Sequence, residues 1–254
     1  MNNKVIWITG GSSGIGKALA IKFANEGWSV AISARREDLL NELNRQYENI
    51  YPFPLDVTDL EQCKAVFKSI IEKFNNIEIS VFSTGTHDPK SEKKFNLEKI
   101  RKIMEVNYFG TMNSINSVYE YYKNKKGGQI SIVSSVAGYR GLPAAGAYCA
   151  SKSALTSFTE SLYFDMKRNN VRVSLISPGF IKTPMTDQND FPMPMIKSPE
   201  FAAEKIYLGL IKEKGFEIHF PKTFTFMMKI IQLLPNWLYF GVINFGNKFM
   251  KRDQ

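Results

Sequence analysis

The chain has 254 residues, of which 44% are hydrophobic and 22% charged, with two Cys and two His. That length suits one α/β domain with a large core, and the charged fraction excludes global disorder; the Cys and His counts exclude a disulfide framework, a cysteine-based zinc ribbon and a His-rich metal site. A net charge of +9 admits nucleic acid or anionic membrane as partners, but the densest basic groups (Lys93-Lys94, Lys123 with Lys125-Lys126, Lys248 with Lys251-Arg252) are short and carry no nucleic-acid signature, so no nucleic acid is expected.

Met1 to Gly10 lack the apolar run and small-residue cleavage site of a signal peptide, so the chain reads as cytoplasmic and mature from its first residue. Strand-like runs then alternate with helix-length segments. Lys4 to Thr9 predicts a buried strand, Ile15 to Asn25 a helix ended by Gly27, Trp28 to Ser33 a strand and Glu37 to Gln46 a helix. Tyr51 to Leu55 predicts a strand, Asp59 to Phe74 a helix, Ile77 to Ser83 a strand and Leu97 to Lys123 one long helix. Gln129 to Ser134, Val171 to Ser177 and Phe216 to His219 predict strands, with helices over Ala147 to Arg168 and Pro199 to Lys212. Such alternation means βαβ units and a doubly wound parallel sheet, an α/β fold. Ligands in such sheets bind beyond the carboxyl ends of the strands. No repeat breaks the series, and 1–254 reads as a single domain.

The first strand runs into Gly10-Gly11-Ser12-Ser13-Gly14-Ile15-Gly16 and then a helix. Glycines let the backbone approach a ligand closely, and the helix N-terminus offers N–H groups to a phosphate. A carboxylate at the end of the second strand would hold the ribose 2′-OH of NAD. Arg35 stands there instead, with Arg36 next to it as a second candidate, and a guanidinium grips a 2′-phosphate, so the cofactor expected is NADP(H). Asp56, followed by Val57 after the third strand, is placed to hydrogen-bond an adenine amino group.

Ser135 follows the fifth strand, and Tyr148 and Lys152 stand four apart on the next helix, sharing one face. A nearby ammonium lowers a Tyr pKa and makes Tyr148 a proton donor or acceptor. Ser135 would hold the carbonyl oxygen, and Lys152 would also grip the nicotinamide ribose.

With the glycine-rich loop, Asp56-Val57, Asn107 in Glu105-Val106-Asn107-Tyr108, and Pro178-Gly179 with Thr183, this set resembles the short-chain dehydrogenase/reductase family over residues 3 to 220. The resemblance implies a seven-stranded Rossmann-type sheet ordered 3-2-1-4-5-6-7. It implies that Asn107 completes a tetrad and that Pro178 to Thr183, Ile181 included, cradles the nicotinamide. It also implies hydride transfer on the B face, and dimers or tetramers paired through helices 97–123 and 147–168. The two arginines resemble those of NADP-preferring members. Where the family usually has Asn-Asn-Ala-Gly, this chain has Phe82-Ser83-Thr84-Gly85, which keeps Gly85 for close approach to the cofactor.

The Pro- and Met-rich segment 183–198 reads as a lid over the substrate, with Tyr139, Leu142 and Pro143 on the other side, so a fairly apolar or lipid-like carbonyl or alcohol is expected. His87, just after the fourth strand, either approaches the site or, the favoured reading, is a surface or satisfied loop residue. The apolar tail, about 223–250, reads as two amphipathic helices parted at Pro235-Asn236. It either covers the pocket or a subunit interface, or lies on a membrane surface. The expected function is NADP(H)-dependent interconversion of a carbonyl and its alcohol without metal. The alternatives are a non-catalytic nucleotide-binding or sensing protein on the same fold, and a membrane-surface protein acting through its tail.

Overall fold

The computed structural model describes residues 4–89, 92, 94–189, 191–213 and 215–252, with residues 246–252 by backbone alone. Met1 to Asn3, Lys93 and the side chains of Lys248, Lys251 and Arg252 lie outside the described residues. The elements in chain order are β1 (Val5–Thr9), α1 (Gly14–Asn25), β2 (Ser29–Ser33), α2 (Glu37–Gln46), β3 (Ile50–Pro52), α3 (Leu60–Phe74), β4 (Ile79–Phe82) and α4 (Leu97–Met104). They continue as α5 (Gly110–Lys125), β5 (Gln129–Val133), α6 (Gly146–Lys167), β6 (Arg172–Pro178), α7 (Pro199–Leu208), β7 (Glu217–Phe220), α8 (Lys222–Gln232) and α9 (Asn236–Arg252).

All seven strands pair in parallel in the order β3-β2-β1-β4-β5-β6-β7. The sheet is buried on both faces, and its alternating side chains divide the core. Ile6 and Ile8 pack with α1, α2 and α7, whereas Val5 and Trp7 pack with α3, α5 and α6. Helix starts follow local chemistry. The carboxylate of Asp59 and the amide oxygen of Asn96 accept the backbone N–H three residues on, as does the hydroxyl of Ser198 ahead of Pro199.

Three predicted elements differ in detail. The third strand spans Ile50–Pro52 and not Tyr51 to Leu55, because Pro52 and Pro54 cannot donate to a ladder; Phe53 and Leu55 still donate to Ile32 and Ala34. The long helix from Leu97 is interrupted by a π-helical turn, Glu105–Phe109. This wider turn rotates Asn107 into full burial, where its amide finds partners. The helix from Pro199 likewise passes into a π-helical turn at Gly209–Glu213, where a side chain on Gly209 would overlap Ile218. Among the described residues, no helix is long and apolar enough to cross a membrane.

Candidate active site

A cavity of about 350 Å³ opens at the carboxyl ends of the central strands. Its wall brings together Gly10, Ser12, Ser13, Gly14, Ile15 and Gly16 from the first loop with Arg35, Arg36, Asp56, Val57 and Gly85. Ser135, Tyr148, Lys152, Pro178, Gly179, Ile181 and Thr183 complete it. Two glycines are required by geometry. Gly14 has φ +54°, and a Cβ on Gly16 would lie 2.2 Å from the Gly10 carbonyl oxygen. The N-terminus of α1 therefore meets the loop with no side chain between them.

Arg36 Nη2 donates to Ser12 Oγ and Ser13 Oγ, each at 2.9 Å, so its guanidinium lies across the loop. Arg35 acts electrostatically on Asp56. Burial works to raise the Asp56 pKa, but hydrogen bonds from the Thr58 backbone and hydroxyl outweigh it and hold the carboxyl below its usual range. Helix α3 is capped by Asp59, which leaves the second carboxylate oxygen of Asp56 without a capping duty.

Asn107 lies behind this wall. Its amide oxygen accepts from Thr86 N at 2.7 Å, and Nδ2 donates to Thr86 O and Ser151 Oγ, both at 3.0 Å. It ties the strand past Gly85 to the helix that carries Tyr148 and Lys152, as a positioning residue. Lys152 is buried, and its Nζ donates to Val133 O at 2.9 Å. Burial lowers its pKa to about 8. Tyr148 is half-buried and stands on the cavity wall. Burial pushes its hydroxyl up to about 12, with a hydrogen bond from Ser135 working the other way. The expected lowering of Tyr148 by Lys152 is therefore not what the protein itself shows. Nζ lies 5.8 Å from the Tyr148 ring centre and is turned to Val133, so desolvation dominates both groups.

The sequence reading weighed His87 near the site but favoured a surface or satisfied loop place for it, and it gave no role to Glu92. His87 is buried, with its ring 4.6 Å from that of Tyr148. Its Nε2 faces Glu92 Oε1 at 3.3 Å, without the geometry of a hydrogen bond. Burial raises Glu92 and lowers His87, which favours neutral forms of both. Glu92 Oε2 accepts from Ala147 N at 2.6 Å, and the backbone of Tyr148 also bonds this carboxylate. A side chain distant in sequence thus caps α6 where Tyr148 leaves it. Glu92→Ala is expected to cost about 1 kcal/mol and lower the melting temperature by roughly 2–4 °C. Glu92→Gln, which keeps an acceptor, should lose less; thermal denaturation of both checks this.

The segment expected as a lid, 183–198, is closed at its base by a β-bridge from Ile181 to Lys197. Thr183 N donates to Thr186 Oγ1 at 2.8 Å, and Met185 reaches the cavity wall. Tyr139, Leu142 and Pro143 do not line the cavity. Tyr139 and Leu142 pack against a cluster formed by Val136 with Phe224 and Met228 of α8, and the Tyr139 hydroxyl donates to Glu217 at 2.6 Å.

A comparison with protein families matches residues 4–192 to the family described as short chain dehydrogenase. An uncharacterized oxidoreductase of Myxococcus xanthus is 31% identical over 243 residues, covering 94% of this chain and 96% of its own. A 3-oxoacyl-[acyl-carrier-protein] reductase of Thermotoga maritima is 33% identical, over 82% of this chain and 85% of its own. The crystal structure of a short-chain dehydrogenase from Streptomyces avermitilis superposes with a TM-score of 0.79 at 21% identity, over 91% of this chain and 92% of that one. The chain belongs to the short-chain dehydrogenase/reductase family and is one of its oxidoreductases.

Proposed function

We propose that the protein is an NADP(H)-dependent reductase of a fairly apolar ketone or aldehyde, able to run in reverse on the alcohol. The observation that carries this is the convergence of Ser135, Tyr148 and Lys152 on the wall of the cavity that the glycine-rich loop opens. A dinucleotide fits that wall. Gly16 permits a cradle that a Cβ would fill, and Arg36 with Ser12 and Ser13 forms a donor set for a phosphate. The loop and α1 would hold the pyrophosphate, Arg36 the 2′-phosphate, Asp56 the adenine, and Pro178 to Thr183 the nicotinamide end. The bound nicotinamide supplies or takes the hydride.

The chain's own residues handle the proton. Ser135 would donate to the carbonyl oxygen and fix it beside Tyr148. A Tyr148 held protonated up to about pH 12 is a proton donor at neutral pH. An ammonium on Lys152 would favour the phenolate left after transfer. Met185 in the wall supports an apolar substrate, as does the relative named for a 3-oxoacyl substrate. Exposed Phe109 and Phe164, beside and on the two long helices, support pairing with a second copy there.

NADPH and NADH consumption over a panel of medium- and long-chain ketones and aldehydes tests this reading; no turnover with any of them would sink it. The pH profile is a second test. Lys152 is charged below about pH 8 and neutral above it. Reductive kcat/KM is therefore expected to fall as pH rises through about 8, because Tyr148 loses the cation that favours its phenolate. A rate flat to pH 10 would remove that role from Lys152.

A further inference from the structure

Exposed apolar side chains are not spread evenly over the molecule. Among the described residues, eight of the fifteen large ones fall between Phe226 and Phe245. Phe226, Ile230 and Leu233 recur at helical spacing opposite the buried Phe224 and Met228. In α9, Trp237 and Phe240 are exposed while Tyr239 is buried. Leu233 and Trp237 are 84% and 75% exposed, in a cluster too dense for ordinary surface scatter.

These helices are held with that face outward. Arg140 donates to the carbonyl oxygens of Gln232 and Leu234 where α8 meets α9, and the Tyr239 hydroxyl donates to Gly141 O. The surface runs on toward the lid, since Phe180 packs on Phe224 at 5.5 Å and on Phe191 at 6.1 Å. Met195 and Ile196 of the lid are exposed as well.

Charge decides what covers it. From Ile218 to Arg252 the sequence holds five Lys or Arg and no Asp or Glu. A twofold contact through α8 and α9 would set this basic stretch against itself, because the adjoining acid, Glu217, is already paired with Lys229 of the same copy; on the lid, Asp187 stands with Lys197. An anionic bilayer supplies both an apolar layer and negative headgroups. Trp237 is of the residue type that prefers that boundary.

We propose that α8, α9 and the lid form one surface that lies on an anionic phospholipid membrane, with the mouth of the active site beside it. Resting on the reductase reading, this makes the substrate a long-chain carbonyl lipid drawn from that bilayer.

Of the three tryptophans, Trp7 and Trp28 are buried and Trp237 is exposed, so emission changes in the full chain report on this surface. Vesicles of mixed phosphatidylglycerol and phosphatidylcholine are expected to shift the emission to the blue and to sediment with the protein. Pure phosphatidylcholine should bind about tenfold or more weakly. Ile230→Gln with Leu233→Gln should weaken binding similarly while leaving NADPH affinity and melting temperature unchanged, both side chains being exposed. Absence of binding, or equal binding to phosphatidylcholine, overturns the proposal. So does a dimer, undone by the same double substitution, in which Trp237 emission is already blue and reddens on dilution. No substrate enters this assay, so its failure is distinct from failure of the reductase reading.

Discussion

Replacing Tyr148 by Phe is expected to lower carbonyl-dependent NADPH consumption by roughly 10²–10⁴-fold, the usual contribution of a positioned proton donor. The substitution keeps the ring that packs on His87 and removes only the hydroxyl that Ser135 bonds. Nucleotide titration should therefore give the same affinity as the parent protein, and the melting temperature should not fall. Burial penalises the phenolate, so deleting the hydroxyl removes no charge from the folded protein at neutral pH. Turnover that survives in Tyr148→Phe would move the proton transfer elsewhere. His87, 4.6 Å away ring to ring, would be the next residue to test.

Arg36→Ala should weaken NADPH binding by roughly 10–150-fold, the range of a charge-assisted hydrogen-bonded pair at 1.5–3 kcal/mol. NADH binding should change little, because the 2′-phosphate is the group the guanidinium would grip. The structure sharpens the sequence reading, which put Arg35 first. Arg36 bridges Ser12 and Ser13, whereas Arg35 acts on Asp56, so Arg35→Ala should have the smaller effect. Fluorescence titration of both variants with both nucleotides separates two roles. Equal loss of NADPH and NADH in Arg36→Ala would mean that the residue shapes the loop and does not select the phosphate.

Much of this site was legible because its chemistry is local. The loop from Gly10 to Gly16 is one strand end and one helix start, and Tyr148 and Lys152 are one helical turn apart. Short-range geometry brings such groups together whatever surrounds them. Asn107 was legible as part of a family resemblance, but its work was not. The π-helical turn that buries it depends on packing of the two helices it joins, and its partners Thr86 and Ser151 come from distant segments. Glu92 carries no local signal either. It becomes a cap for α6 only because the chain beyond β4 folds across that helix's first turn.

The sequence by itself determined the parallel sheet, the glycine-rich loop at its first turn and the one-turn spacing of Tyr148 and Lys152, since alternation of apolar runs, glycine spacing and helical periodicity all act within about twenty residues. Tertiary structure decided the electrostatics and the surfaces. Whether Tyr148 is lowered by an ammonium or raised by burial depends on where Lys152 Nζ turns, and it turns to Val133. Whether Tyr139 faces substrate or tail depends on α8, with Phe224 and Met228, and on β7, whose Glu217 accepts from its hydroxyl. Desolvation and packing are sums over neighbours remote in sequence, so only the folded chain specifies them.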